Sequence, residues 1–104
     1  MAESENKSKI ATRCIHAGNT VDPATGAVMP PIYTSSTFRQ PAFNAPGEHV
    51  YARASNPTRD ALERCVAALE SGVRGLAFAS GMAATANVLE LLNAGEHVIA
   101  PADI

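Results

Sequence analysis

Leu76-Ala77-Phe78-Ala79-Ser80-Gly81-Met82-Ala83-Ala84-Thr85 changes character at its middle. The apolar run at 76–79 reads as a buried strand, and Ser80-Gly81 then turns the chain into a helix that opens on small residues. A strand feeding a glycine turn and a helix points several backbone N–H groups at one spot. The helix dipole adds roughly half a positive charge there. Such a spot takes an anion, most often a phosphate, and the Ser80 hydroxyl is a further donor. On pattern alone an ordinary capped helix is the commoner origin of such a turn. The dinucleotide fingerprint Gly-x-Gly-x-x-Gly is absent, and no Gly-Lys-Ser/Thr comes after it to make a P-loop.

A second stretch lies upstream, Tyr51-Ala52-Arg53-Ala54-Ser55-Asn56-Pro57-Thr58. In an extended segment residues two apart share a face, so the Tyr51 phenol and the Arg53 guanidinium can reach one ligand. Both are good phosphate partners. By composition alone, a surface arginine beside a half-buried tyrosine is the commoner case.

Between the two stretches Asn56 is a good N-cap and Pro57 suits the first helical position. Leu62, Cys65, Val66 and Leu69 then recur on one face, with Arg59, Glu63, Arg64 and Glu70 mostly opposite. Ser71-Gly72 ends this helix, glycine being suited to the left-handed residue there. The helix after Ser80 is apolar nearly all round, which calls for burial on several sides. Asn93-Ala94-Gly95 closes it, and residues 97–100 read as the next strand. Strand, helix and strand with short connections predict a parallel βαβ unit. The last residues fall just past that second strand, where ligand loops of open α/β sheets begin and where a larger enzyme is expected to continue.

The first fifty residues predict no core of their own. Residues 1–9 read as a disordered polar tail without the apolar stretch of a signal peptide. Ile10, Cys14 and Ile15 are the candidate packing residues of a weak pattern ending at His16. Residues 18–31 are rich in turn chemistry, and 32–38 could form a short strand. Pro41, Pro46 and Gly47 break any regular structure before Val50. The segment reads as an arm that lies on something else.

A net charge of −2 provides no basic field, so nucleic acid is not an expected partner. No apolar run approaches the roughly 20 residues that cross a bilayer. His16, His49 and His97 lack metal-ligand spacing, so no metal site is expected. Cys14 and Cys65 do not make a disulfide scaffold, which favours a reducing cytoplasm. Cys65, on an apolar helix face, reads as an inert core thiol. The only lysines, Lys7 and Lys9, both sit in the polar tail, so chemistry needing a positioned lysine is not expected from the folded part.

Taken together, residues 51–58 and 76–85 resemble the Cys/Met-metabolism family of pyridoxal-phosphate (PLP) enzymes. Its members include cystathionine γ-synthase, cystathionine γ-lyase, methionine γ-lyase and O-acetylhomoserine sulfhydrylase. The family commonly shows Tyr-Ser-Arg-x-x-Asn-Pro-Thr, here with Ala52 in place of serine, and then a Ser-Gly-Met/Leu-Ala-Ala segment. Thr12-Arg-Cys-Ile-His16 and Pro30-Pro-Ile-Tyr-Thr-Ser-Ser-Thr-Phe38 are similar to its N-terminal arm. The likeness therefore runs from about residue 11 to the end.

The resemblance implies an α/β fold: an N-terminal extended arm over residues 1–50, then the first βαβ part of a fold-type I, aspartate aminotransferase-like PLP domain over 51–104. It implies that Ser80, Gly81 and Met82 hold the cofactor phosphate, largely through backbone amides. Tyr51 and Arg53 would reach the phosphate of a neighbouring subunit's cofactor in a homotetramer with shared active sites, and the arm would drape over that neighbour. The Schiff-base lysine, the aspartate facing the pyridine nitrogen and the stacking aromatic are expected downstream, so no catalytic residue is expected in this chain. The implied reaction is γ-elimination on L-cystathionine to cysteine, 2-oxobutanoate and ammonia, with γ-synthase, methionine γ-lyase and sulfhydrylase chemistry as alternatives. A catalytically inert phosphate-binding fragment and a nucleotide-binding α/β domain are the readings from other classes.

Overall fold

In a computed structural model that describes residues 9–103, the described residues form helices α1 (Ile10–His16), α2 (Pro57–Leu69) and α3 (Gly81–Leu89). The expected disordered tail, Lys9 apart, lies outside the described residues.

Both ends of α2 follow from local chemistry. Asn56 is extended and its side-chain oxygen accepts from Thr58 N–H at 2.9 Å, while Pro57 occupies the first turn where no donor is missed. At the other end Gly72 N–H reaches Ala67 C=O at 2.8 Å and Ser71 N–H reaches Ala68 C=O at 3.4 Å, a Schellman motif. The left-handed residue is Ser71, with φ 57°, and not Gly72 as the sequence suggested. The chain leaves the helix one residue earlier than the glycine, so serine carries the strained position.

Residues 10–16 form a regular helix, beyond the weak pattern read from the sequence. Its Ile10 and Ile15 are both 61% exposed and Cys14 is exposed too, so the expected packing residues do not pack. The α1–α2 contact is made instead by small residues at the end of α1. Ala17 and Ala61 are the buried hydrophobic residues among those described, at 2% and 6% exposure. Gly18, with φ +75°, comes so close to α2 that an added Cβ would lie 2.5 Å from Cys65 N. A bulkier corner would hold the helices apart.

The faces of α2 are used only partly as expected: Cys65 and Leu69 are half-buried, and Arg64 and Glu70 are exposed. Leu62 and Val66 are exposed, whereas the polar residues Arg59 and Glu63 make tertiary hydrogen bonds. Arg64 is exposed and donates to Gly18 C=O at 3.3 Å. Alongside α3, Met82, Val88 and Leu91 are exposed as well. The Cα radius of gyration, 17.3 Å, exceeds the roughly 13 Å of a compact domain of this length.

The arm is tied down at several points. Thr58 Oγ1 accepts from Tyr33 N–H at 2.8 Å and donates to Pro31 C=O at 3.0 Å, and Asn56 Nδ2 donates to Tyr33 C=O. Gln40 bridges the next loop, donating to Phe38 and His49 carbonyls and accepting from Gly47 N–H. Asp22 accepts from Thr25 N–H and from its hydroxyl, closing a turn over 22–27.

The segments 32–38, 75–79 and 97–100, expected as strands, form no ladder. Among the described residues the only β pairings are isolated bridges, Thr37 to Tyr51 and Ala42 to Ala45. A parallel strand exists only beside a neighbour about 4.8 Å away that receives its N–H and C=O groups. Among the described residues no such neighbour lies beside 75–79, and Gly75 and Ala77 meet α2 at Glu63 instead.

Candidate functional site

The N-terminus of α3 carries the first cluster. Ser80 is extended, and its hydroxyl oxygen accepts from Ala83 N–H at 3.1 Å, as an N-cap. That leaves the hydroxyl proton to donate outward. Ala84 N–H is taken by Ser80 C=O. Among the described residues, Gly81 and Met82 N–H have no hydrogen-bond partner, and nothing lies within 4 Å of an added Gly81 Cβ. Two open amides, a hydroxyl and the positive end of the helix dipole therefore face free space. The groups suit the terminal oxygens of a phosphate.

The second cluster is the turn after Tyr51. Ala52 N–H donates to Ser36 C=O at 2.8 Å, and Phe38 N–H donates to Val50 C=O at 3.2 Å, so the chain pairs briefly with the arm. Tyr51 C=O then accepts from Ala54 and Ser55 N–H, at 2.9 and 3.1 Å. Residues 51–55 are thus a turn, and not the extended segment used to place Tyr51 and Arg53 on one face. The two residues meet all the same: the Arg53 guanidinium lies 4.6 Å from the centroid of the Tyr51 ring. Stacking leaves the N–H edge of the guanidinium available to an anion.

Arg59 was not singled out by the sequence, yet it holds this turn. Its two terminal nitrogens donate to Ala52 C=O at 3.1 Å and Ala54 C=O at 2.6 Å, on either side of Arg53. Glu63, one helical turn on, sits 3.6 Å from Arg59 Nε and accepts from Ala77 N–H at 2.9 Å. Gly75 packs against the same stretch of α2, where an added Cβ would collide with Glu63 C=O. The two clusters are not bonded to each other; α2 carries both. An i,i+4 Arg–Glu pair is the one signal for this in the sequence, and it is common to solvated helix faces.

His49 braces the turn from the other side. Its Nδ1 lies 3.0 Å from Ser55 Oγ and 3.8 Å from Asp60 Oδ2, and its ring stands 5.3 Å from Phe38. Both partners face the same ring nitrogen. A Ser–His–Asp relay needs opposite nitrogens, so this is a brace and not a nucleophile site.

Residues 11–104 match the family model described as Cys/Met metabolism PLP-dependent enzyme. Cystathionine β-lyase of Coxiella burnetii is 58% identical over 106 aligned positions, which cover 99% of this chain and 27% of that protein. Cystathionine γ-synthase of Mycobacterium bovis is 55% identical over 95, covering 89% and 24%. The crystal structure of cystathionine γ-lyase from Lactobacillus plantarum complexed with L-serine superposes with a TM-score of 0.76 at 47% identity, over 86% of this chain and 23% of that one. The chain spans about a quarter of the length of the curated relatives it matches. Linked motifs in one order, a match over nearly the whole chain and a shared backbone lead to one conclusion: the chain belongs to the Cys/Met metabolism family of PLP-dependent enzymes.

Proposed function

We propose that this chain supplies the phosphate-binding elements of a PLP-dependent trans-sulfuration enzyme that breaks a carbon–sulfur bond of L-cystathionine. The open Gly81 and Met82 amides at the start of α3 carry the reading. With the Ser80 hydroxyl they would take the cofactor phosphate, and the glycine lets it approach the backbone. Tyr51 and Arg53 would close on the phosphate held by a neighbouring subunit, which makes each site shared in a dimer and in a tetramer of two dimers. Residues 75–79 and 97–100 would become the parallel strands flanking α3 when the other strands of an aspartate aminotransferase-like domain pair with them. The arm would then lie over the neighbour.

When bound, PLP supplies an electron sink for the amino-acid substrate. The residues here hold and orient it. The lysine that anchors the cofactor covalently, the aspartate and the stacking aromatic would come from residues beyond these.

Two cleavage chemistries divide the relatives. The motif resemblance favours γ-elimination, giving cysteine, 2-oxobutanoate and ammonia. The 58% identity with a protein named cystathionine β-lyase favours cleavage on the other side of the sulfur, giving homocysteine, pyruvate and ammonia. Product analysis of the whole protein with L-cystathionine separates them: 2-oxobutanoate selects γ-elimination and pyruvate selects β-elimination. Reaction only with an O-acylhomoserine plus cysteine selects γ-replacement. No turnover of any of these, with PLP bound, removes the proposal.

A further inference from the structure

Arg53 stands at the tip of a turn that α2 straps down from beneath. The carbonyls of Ala52 and Ala54, which flank it, both end on the Arg59 guanidinium, at 3.1 and 2.6 Å. The same guanidinium lies 3.6 Å from the Glu63 carboxylate, and Glu63 in turn receives Ala77 N–H at 2.9 Å, three residues ahead of Ser80. One turn of α2 therefore fixes the backbone on which the Arg53–Tyr51 stack stands and the backbone that leads into the α3 amides. The two side chains are partly exposed, at 31% for Arg59 and 18% for Glu63, and the bond from Arg59 to Ala52 C=O is part-buried.

We infer that Arg59 and Glu63 are positioning residues for the phosphate clamp. Arg59 acts by presenting the Arg53 guanidinium, and Glu63 acts by neutralising Arg59 and fixing the approach to the cradle. The planar fork of Arg59 is what the task needs. Two carbonyls lie on either side of one residue, and a single ammonium does not span them as a guanidinium does. Neither residue touches the phosphate in this arrangement. The inference rests on the assignment of Arg53 to a cofactor phosphate.

The test uses the whole protein stripped of cofactor, with equilibrium binding of PLP and of pyridoxal, which lacks the phosphate. The variants are Arg53→Ala, Arg59→Lys, Arg59→Ala, Glu63→Gln and the double variant Arg53→Ala/Arg59→Ala. Loss of Arg53 weakens PLP roughly tenfold or more and leaves pyridoxal unchanged. Arg59→Ala gives a loss of similar kind, Arg59→Lys recovers little of it, and the double variant is no weaker than Arg53→Ala alone. Glu63→Gln keeps an acceptor for Ala77 and falls between wild type and Arg59→Ala. Thermal unfolding without cofactor identifies any variant that has lost its fold, and Arg59→Lys keeps the comparison alive if Arg59→Ala is one of them. If Arg53→Ala weakens PLP while Arg59→Lys and Glu63→Gln do not, the positioning role is wrong and the clamp stands. Losses that add in the double variant, or that affect pyridoxal equally, also overturn it. If Arg53→Ala leaves PLP binding intact, the clamp assignment itself falls, and this inference with it.

Discussion

The Arg53 guanidinium rests 4.6 Å from the centroid of the Tyr51 ring, at the tip of a turn closed by two hydrogen bonds to Tyr51 C=O. The ring holds the cation without using its N–H groups, which an anion can then accept from. Arg64, eleven residues on, is committed to Gly18 C=O and belongs to the α1–α2 contact. Arg53→Ala is therefore expected to weaken PLP retention in the whole protein by about 10- to 100-fold, the worth of a charged hydrogen bond. Arg64→Ala leaves retention unchanged. Dialysis and then cofactor absorbance measure both, and equal retention would remove Arg53 from the site.

Gly18 stands where two demands coincide, a φ of +75° and a backbone approach to α2 at Ala61 and Cys65. An alanine there meets both the left-handed penalty and a collision with backbone that has nowhere to go. Gly18→Ala should cost about 2 kcal/mol or more. Gly26 has a φ of +72° but nothing within 4 Å, so Gly26→Ala should cost about 1 kcal/mol. Urea unfolding of the two variants compares them, and equal costs would mean that the close approach at Gly18 is relaxed in solution.

Ser71 occupies the left-handed position of the Schellman motif although Gly72 is its neighbour. Ser71→Gly should stabilise the protein by about 0.5–1 kcal/mol, the relief of a Cβ outweighing the added chain entropy. A lower melting temperature for this variant would contradict that assignment of the helix end.

Thr58 Oγ1 both accepts from Tyr33 N–H and donates to Pro31 C=O, joining the arm to the first turn of α2. Thr58→Val keeps the shape and removes both bonds, at a cost of about 1–2 kcal/mol. Amide hydrogen exchange reads it directly: Tyr33 N–H should exchange faster in the variant while residues late in α2 do not change.

The Asp22 carboxyl is held below the usual carboxylate range by the Thr25 hydroxyl, against the opposing effect of burial, with smaller help from the Thr25 and Ala24 backbone amides. A folded-state value lower than the unfolded one means that the turn's stabilisation is present above about pH 4 and is lost as pH falls through the folded value. Asp22→Asn should flatten the pH dependence of order in residues 22–27 below about pH 4, as monitored at the Gly26 amide.

Local chemistry was the part legible in the sequence. Asn56, Pro57 and Ser80 announce two helix starts because a cap needs only residues within one turn. The open Gly81 and Met82 amides behind the Ser80 cap are local in the same way. The strands at 75–79 and 97–100 were read from apolar runs, yet a strand is a relation between segments, and among the described residues no pairing partner lies beside them. Arg59 escaped notice because helical spacing put it on the polar side of α2, and polar sides are usually solvated. Its partners, Ala52 and Ala54, return to it only through the turn after Tyr51. Tyr51 and Arg53 were placed on one face from extended geometry, whereas a tight turn brings the guanidinium against the ring.

The most direct measurement is a crystal structure of the whole protein with PLP bound. Phosphate oxygens are expected within about 3 Å of the Gly81 and Met82 amides and of Arg53 contributed by a neighbouring subunit. A phosphate held by other residues, with the start of α3 facing solvent, would contradict the assignment of the cradle and the clamp.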